Sequence, residues 1–187
     1  MKLNRNMSKF DETVKARLDE LVSRYPHKRA ALLPSLWVAQ EVYGGWLPEE
    51  AMQGVADHLE LSRAEVEGVA TFYTMYNKEQ VGKYHIEICH NVSCMLYGAD
   101  ELIHHCAKRL GVAKGETTPD GRITLSGAEC LGACCNAPAL QVGGVYYEDV
   151  TPEMMDTIIA KLQGEGAPTE SEVAHPPQAQ LPEMRSF

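Results

Sequence analysis

None of the six cysteines of this chain occurs before position 89; they stand at Cys89, Cys94, Cys106, Cys130, Cys134 and Cys135. Four of them form two short-spaced pairs, C-x4-C at Cys89/Cys94 and C-x3-C at Cys130/Cys134, and each pair begins close behind an apolar alternation. Tyr84, Ile86 and Ile88 alternate with His85 and Glu87 before Cys89, and Ile123 and Leu125 alternate with Thr124 and Ser126 before Cys130. Period-2 patterning of this kind marks half-buried strands. Between them a segment from Gly98 to Leu110 places Leu102, Ile103, Cys106 and Leu110 on one helical face, with Gly111 as its stop. If a right-handed helical crossover joins two parallel neighbours, both cysteine pairs sit at the carboxyl ends of adjacent strands. Four thiols are then expected to converge.

The strand pattern continues downstream. Leu140 to Val142, Gly143-Gly144 and Val145 to Tyr147 read as a tight hairpin, since paired glycines accept the positive φ of a type I′ turn. Thr151-Pro152 is an N-cap with proline at the first helical position, opening a last helix to about Leu162. The order is β-α-β-β-β-α. The residues before Gly82 read differently, as helices joined by short turns. Val14, Leu18, Leu21, Val22 and Tyr25 recur at helical spacing up to Pro26, and a second helix is expected over about 33–43, ending at Gly44-Gly45. Pro48 opens a third, with Ala51, Met52, Val55 and Leu59 on one stripe. Ser62 and Glu65 form a capping box for a fourth, running through Val66, Val69, Phe72 and Tyr73. The chain is therefore expected to be α+β, with an N-terminal helical bundle over 10–80 and an α/β domain over 81–162, flanked by a flexible stretch at 1–9. From 163 to 187 four prolines and four acids stand among hardly any aliphatic residues, which predicts a disordered tail.

Composition narrows the function. With 17 basic against 26 acidic residues the formal charge is −9, which disfavours a phosphate backbone as partner. MKLNRNMSKF has no apolar core of a signal peptide, and no stretch approaches the roughly 20 apolar residues of a membrane span. The reading is a soluble cytoplasmic protein, where clustered cysteines point to metal or redox chemistry rather than to disulfides. Four thiolates in two pairs suit a [2Fe–2S] cluster, which gives each iron two sulfurs, and they also admit structural zinc. Rieske ligation would need histidines near Cys130 or Cys134, and a thioredoxin-type dithiol would need C-x-x-C; neither is present. No G-x-G-x-x-G after a strand and no G-x4-G-K-[ST] provides a nucleotide site.

Longer stretches shift the weighting toward the cluster, with a zinc-stabilised interaction module as the alternative. CHNVSC and ECLGACCNAP, with GWLP and VEGVATFYTMY upstream, resemble the small thioredoxin-like [2Fe–2S] subunit of NADH:quinone oxidoreductase (complex I) over about residues 10–162. Close relatives of that family serve NAD-linked hydrogenases and formate dehydrogenases. The resemblance implies a thioredoxin-like α/β domain and one [2Fe–2S] cluster held by Cys89, Cys94, Cys130 and Cys134. It further implies electron exchange with FMN on a flavoprotein subunit that binds NADH, a further iron–sulfur subunit nearby, and a place on the cytoplasmic face of the inner membrane held through the complex. It also implies that the helical module docks on the flavin subunit, with Trp46, Phe72, Tyr73 and Tyr76 as candidate contacts. A bundle-core role is at least as good a reading for Phe72. Among the remaining residues, Cys106 reads as a buried apolar thiol, Cys135 as a packed thiol or one beside the cluster, and His90 as a solvated loop residue. At least one of His104 and His105 is expected to be exposed. Gly132 and the amides from Asn91 to Ser93 are expected to donate to cluster sulfurs.

Overall fold

The computed structural model describes residues 10–164, so the stretch at 1–9 and the tail beyond Gly164 lie outside the described residues. The described chain falls into two compact units that divide between Val81 and Gly82.

The first unit holds α1 (Glu12–Val22), a short 3-10 turn (Lys28–Ala31), α2 (Leu32–Val42), α3 (Glu49–Leu59) and α4 (Arg63–Phe72). Side chains cap these helices where free amides need acceptors: Asp11 takes the Val14 N–H at 2.9 Å, and the Ser62/Glu65 capping box is complete. Leu18, Leu36, Leu47, Val55, Leu59 and Val66 meet in a buried core. α1 ends at Val22, earlier than the sequence pattern suggested, and Tyr25 stays 39% exposed. The residue before a proline is pushed out of the helical region, and Pro26 imposes that on Tyr25. α4 buries only Val66 and Ala70, so Phe72 is off its stripe and 76% exposed, against the core reading.

The chain after α4 is held inward by polar contacts. Buried Gln40 donates from Nε2 to the Met75 carbonyl at 3.2 Å and accepts the Asn77 N–H at 2.8 Å. Tyr76 is buried, and its hydroxyl donates to the Leu33 carbonyl at 2.8 Å.

The second unit is a four-stranded sheet in the order β2-β1-β3-β4, from β1 (Tyr84–Cys89), β2 (Ile123–Ala128), β3 (Leu140–Val142) and β4 (Val145–Tyr147). β1 and β2 are parallel neighbours in the register Tyr84↔Ile123 through Cys89↔Ala128, as the crossover argument required. β3 runs antiparallel to β1, with Ile86↔Val142 and Ile88↔Leu140 opposite one another. Gly143 and Gly144 take φ of 57° and 87°, the left-handed values needed to turn β3 into β4. Ile86, Ile88, Leu125, Leu140 and Val142 pack with Leu102 and Cys106 of α6 (Ala99–Leu110) and with Met155, Ile158 and Ile159 of α7 (Pro152–Gln163). A short helix, α5 (Val92–Leu96), precedes α6 and has no counterpart among the elements expected from the sequence. His105 lies 3.0 Å from Asp156, linking α6 to α7, while His104 is exposed. The Ala137–Pro138 peptide bond is cis.

On β1 the residues that alternate with Ile86 and Ile88 point to the other side, where His85 Nε2 lies 2.7 Å from Ser126 Oγ. Burial holds the His85 pKa below its ordinary value, and nearby Glu87 opposes the shift only in part. A histidine harder to protonate folded than unfolded stabilises the fold above the unfolded pKa near 6.5, and that contribution is lost as the pH falls below it. The thermal midpoint is expected to drop between about pH 7 and about pH 5, and His85→Gln to flatten that part of the profile. An unchanged slope in the variant would remove His85 as the cause.

Candidate functional site

The parallel register carries both cysteine-bearing loops to one end of the sheet. Cys89 is the last residue of β1, and Cys94 lies inside α5. Asn91 caps α5 by accepting the Val92 N–H at 2.7 Å, and Gly98, at φ 91°, separates α5 from α6. This cap-and-glycine pattern was the sequence signal for α5. Cys130 follows β2 by two residues, and Cys134 opens a short 3-10 turn (Cys134–Asn136).

The two pairs differ in environment. Cys89 and Cys94 are buried, packed with Ala99, Ala137 and Ala139, and Leu131 and Ala133 of the second loop cover them. Cys130 and Cys134 are exposed. Burial pushes the Cys94 thiol up, the Ala139 backbone opposes this with a hydrogen bond, and Cys89 and Cys134 raise it further. The second cysteine loop packs against the first pair through Leu131 and Ala133, so the two loops lie side by side. Among the described residues, no three His, Cys, Asp or Glu side chains are gathered as ligands for one ion. The Gly132 N–H donates to Cys130 Sγ at 3.4 Å, and Gly132 reaches this with φ 76°, a conformation glycine adopts freely. That expectation held at Gly132. At Val92 it did not hold, because that amide goes to the Asn91 side chain instead.

His90 does lie in the loop after β1, but it is half-buried rather than fully solvated. Its ring covers Gly127, where a Cβ would lie 2.7 Å from His90 Cδ2, and its Nε2 is 3.9 Å from Glu129. Glycine at 127 makes the room, a match between two distant residues that no local pattern reveals. Cys106 is fully buried, and burial pushes its thiol up to about 12, so it stays a neutral packing group. Cys135 is exposed. Of the expected docking aromatics, Tyr76 is buried and Trp46 half-buried; Phe72 and Tyr73 are exposed, together with Trp37 and Met75.

A sheet whose parallel neighbours β1 and β2 each lead into a cysteine-bearing loop, backed by α6 and α7, defines a thioredoxin-like fold. Residues 18–163 match the family model of thioredoxin-like [2Fe-2S] ferredoxins. An NADH-quinone oxidoreductase subunit from Rickettsia conorii is 47% identical over 158 residues, covering 83% of this chain and 95% of that one. Its namesake from Rhizobium meliloti is 41% identical over 151 residues, covering 81% and 89%. In fold, the chain resembles an NAD+-reducing [NiFe]-hydrogenase crystal structure with a TM-score of 0.62 at 21% identity, over 76% of this chain and 25% of that chain. The chain belongs to the thioredoxin-like [2Fe-2S] ferredoxin family.

The family's cofactor is one [2Fe–2S] cluster, and the donor set fits it. All four paired cysteines are free thiols, they come two from each loop, and a backbone amide already donates to Cys130.

Proposed function

We propose that this chain is the [2Fe–2S] electron-transfer subunit of an NADH:quinone oxidoreductase, exchanging single electrons with FMN on a partner flavoprotein. The observation that carries the reading is the placement of both cysteine pairs at one end of the sheet, on loops following parallel β1 and β2. The 47% identity to an NADH-quinone oxidoreductase subunit, across nearly its whole length, supports the choice of host complex. The likeness to the hydrogenase rests on fold alone.

Cys89, Cys94, Cys130 and Cys134 would hold the cluster, which when bound takes up and returns one electron at a time. The chain's own residues set the conditions for that exchange. Ala99, Ala137 and Ala139 exclude water from the first pair. The Gly132 amide stabilises negative charge on Cys130, and the net charge of −9 favours a low potential. The exposed second pair leaves an open side for the electron's partner. NADH and FMN belong to the flavoprotein, a further iron–sulfur protein adjoins it, and Phe72 and Tyr73 are docking contacts. Among the described residues no helix is long and apolar enough to cross a membrane. In this proposal the chain reaches the cytoplasmic face of the membrane through its complex.

Anaerobic purification followed by counting iron, labile sulfide and zinc tests the reading. Iron and sulfide of about two each per chain, with a visible spectrum bleached by dithionite, are expected. Zinc near one per chain without labile sulfide would overturn the redox role and leave a zinc-stabilised interaction module.

A further inference from the structure

The backbone ladder between β1 and β2 stops at Cys89↔Ala128, and its last bond runs from the His90 N–H to the Ala128 carbonyl at 3.1 Å. Beyond it the two cysteine loops are separate stretches of chain. An extended residue spans about 3.3 Å, so a few free residues could carry the thiols well out of reach of one another. Besides the longer His90–Glu129 contact, two side-chain hydrogen bonds bridge this gap. Asn91 Nδ2 donates to the Glu129 carbonyl at 2.8 Å, and Ser93 Oγ donates to the Cys134 carbonyl at 2.9 Å.

Their placement follows a pattern. Both donors lie between Cys89 and Cys94. One acceptor immediately precedes Cys130, and the other belongs to Cys134 itself. The loop of the buried pair thus grips the loop of the exposed pair at both of its cysteines. We propose that Asn91 and Ser93 are positioning residues: they hold the Cys130/Cys134 loop in register with the Cys89/Cys94 loop, so that both thiol pairs are presented together and the [2Fe–2S] cluster is retained. The inference rests on the four-cysteine reading above. Asn91 has a second task, since its Oδ1 accepts the Val92 N–H and caps α5, so its amide group serves helix and clasp from opposite ends.

That double use makes a clean test. Asn91→Ser keeps a capping oxygen but is too short to donate to the Glu129 carbonyl. Ser93→Ala removes the hydroxyl, and Ser93→Thr restores it. Thr157→Ala is the matched control, removing a hydroxyl-to-carbonyl bond of the same kind within α7. The full-length chains, purified anaerobically, are compared by iron and sulfide content, by loss of visible absorbance in excess chelator, and by the EPR signal of the dithionite-reduced protein. Removing partners that orient metal-binding residues typically weakens metal retention ten- to a hundred-fold. Cluster loss is therefore expected to be roughly ten-fold faster in Asn91→Ser and in Ser93→Ala. Both should show a shifted or broadened EPR signal, and Ser93→Thr and Thr157→Ala should behave as wild type.

Wild-type kinetics and EPR in both Asn91→Ser and Ser93→Ala would overturn the clasp while leaving the cluster assignment intact. Effects in Thr157→Ala as large as those in Ser93→Ala would overturn it too, by showing a general loss of stability. A wild-type chain without iron and sulfide would instead bring down the four-cysteine reading itself.

Discussion

Cys94→Ser and Cys130→Ser are each expected to take the iron content from about two per chain toward zero and to abolish the reduced-state EPR signal. Serine is a poor ligand for an iron that otherwise has only sulfur donors, and each iron depends on two protein thiolates. The two variants should part company in their effect on the chain itself. Cys94 is 3% exposed among alanines, so a serine there buries a more strongly polar hydroxyl in place of a weakly polar thiol. Cys130 is exposed, and its serine meets water. Loss of thermal stability in the cluster-free protein is accordingly expected for Cys94→Ser and not for Cys130→Ser. Cys106→Ala supplies the contrast, since it leaves a small cavity under α6, costing about 1 kcal/mol, while the cluster stays. Metal analysis, EPR and thermal melts on the same three samples separate these outcomes. A full EPR signal in both ligand variants would refute the assignment.

How far the sequence reached can be judged residue by residue. The alternation at Ile86, Ile88, Ile123 and Leu125 was enough to place both cysteine pairs at one end of the sheet, because strand period and crossover handedness are local or nearly universal rules. Ser62 with Glu65 likewise announced α4 through chemistry confined to one helical turn. What escaped depends on pairs far apart in the chain. His90 over Gly127, Asn91 on Glu129 and Ser93 on Cys134 are tertiary contacts, and neither member of any pair carries a pattern that names the other. α5 is an intermediate case: five residues are too few to show a periodicity, although Asn91 and Gly98 marked its ends.

The aromatic run Phe72-Tyr73-Thr74-Met75-Tyr76 was the least legible stretch, and it carries a large expected effect. Periodicity cannot sort these rings, because α4 ends at Phe72 and the chain beyond it has no repeat. Packing sorts them sharply: Phe72 is 76% exposed and Tyr76 1%. The Tyr76 ring lies 5.8 Å from Trp37 and 6.5 Å from Tyr73, and its hydroxyl satisfies the Leu33 carbonyl. Burial pushes that hydroxyl up to about 12, so the donor remains in place at any physiological pH. Tyr76→Ala empties a ring-sized space and strands the carbonyl, and is expected to destabilise the helical unit by about 3–5 kcal/mol in urea unfolding. Tyr76→Phe keeps the ring and should cost only about 1 kcal/mol. Phe72→Ala should stay within about 0.5 kcal/mol of wild type, since it removes a ring that water already reaches. It should nevertheless weaken binding to the flavoprotein partner, measured by titration calorimetry, because exposed aromatics concentrate binding energy. If Phe72→Ala unfolds the unit or leaves partner affinity unchanged, the division of labour between the two rings is wrong.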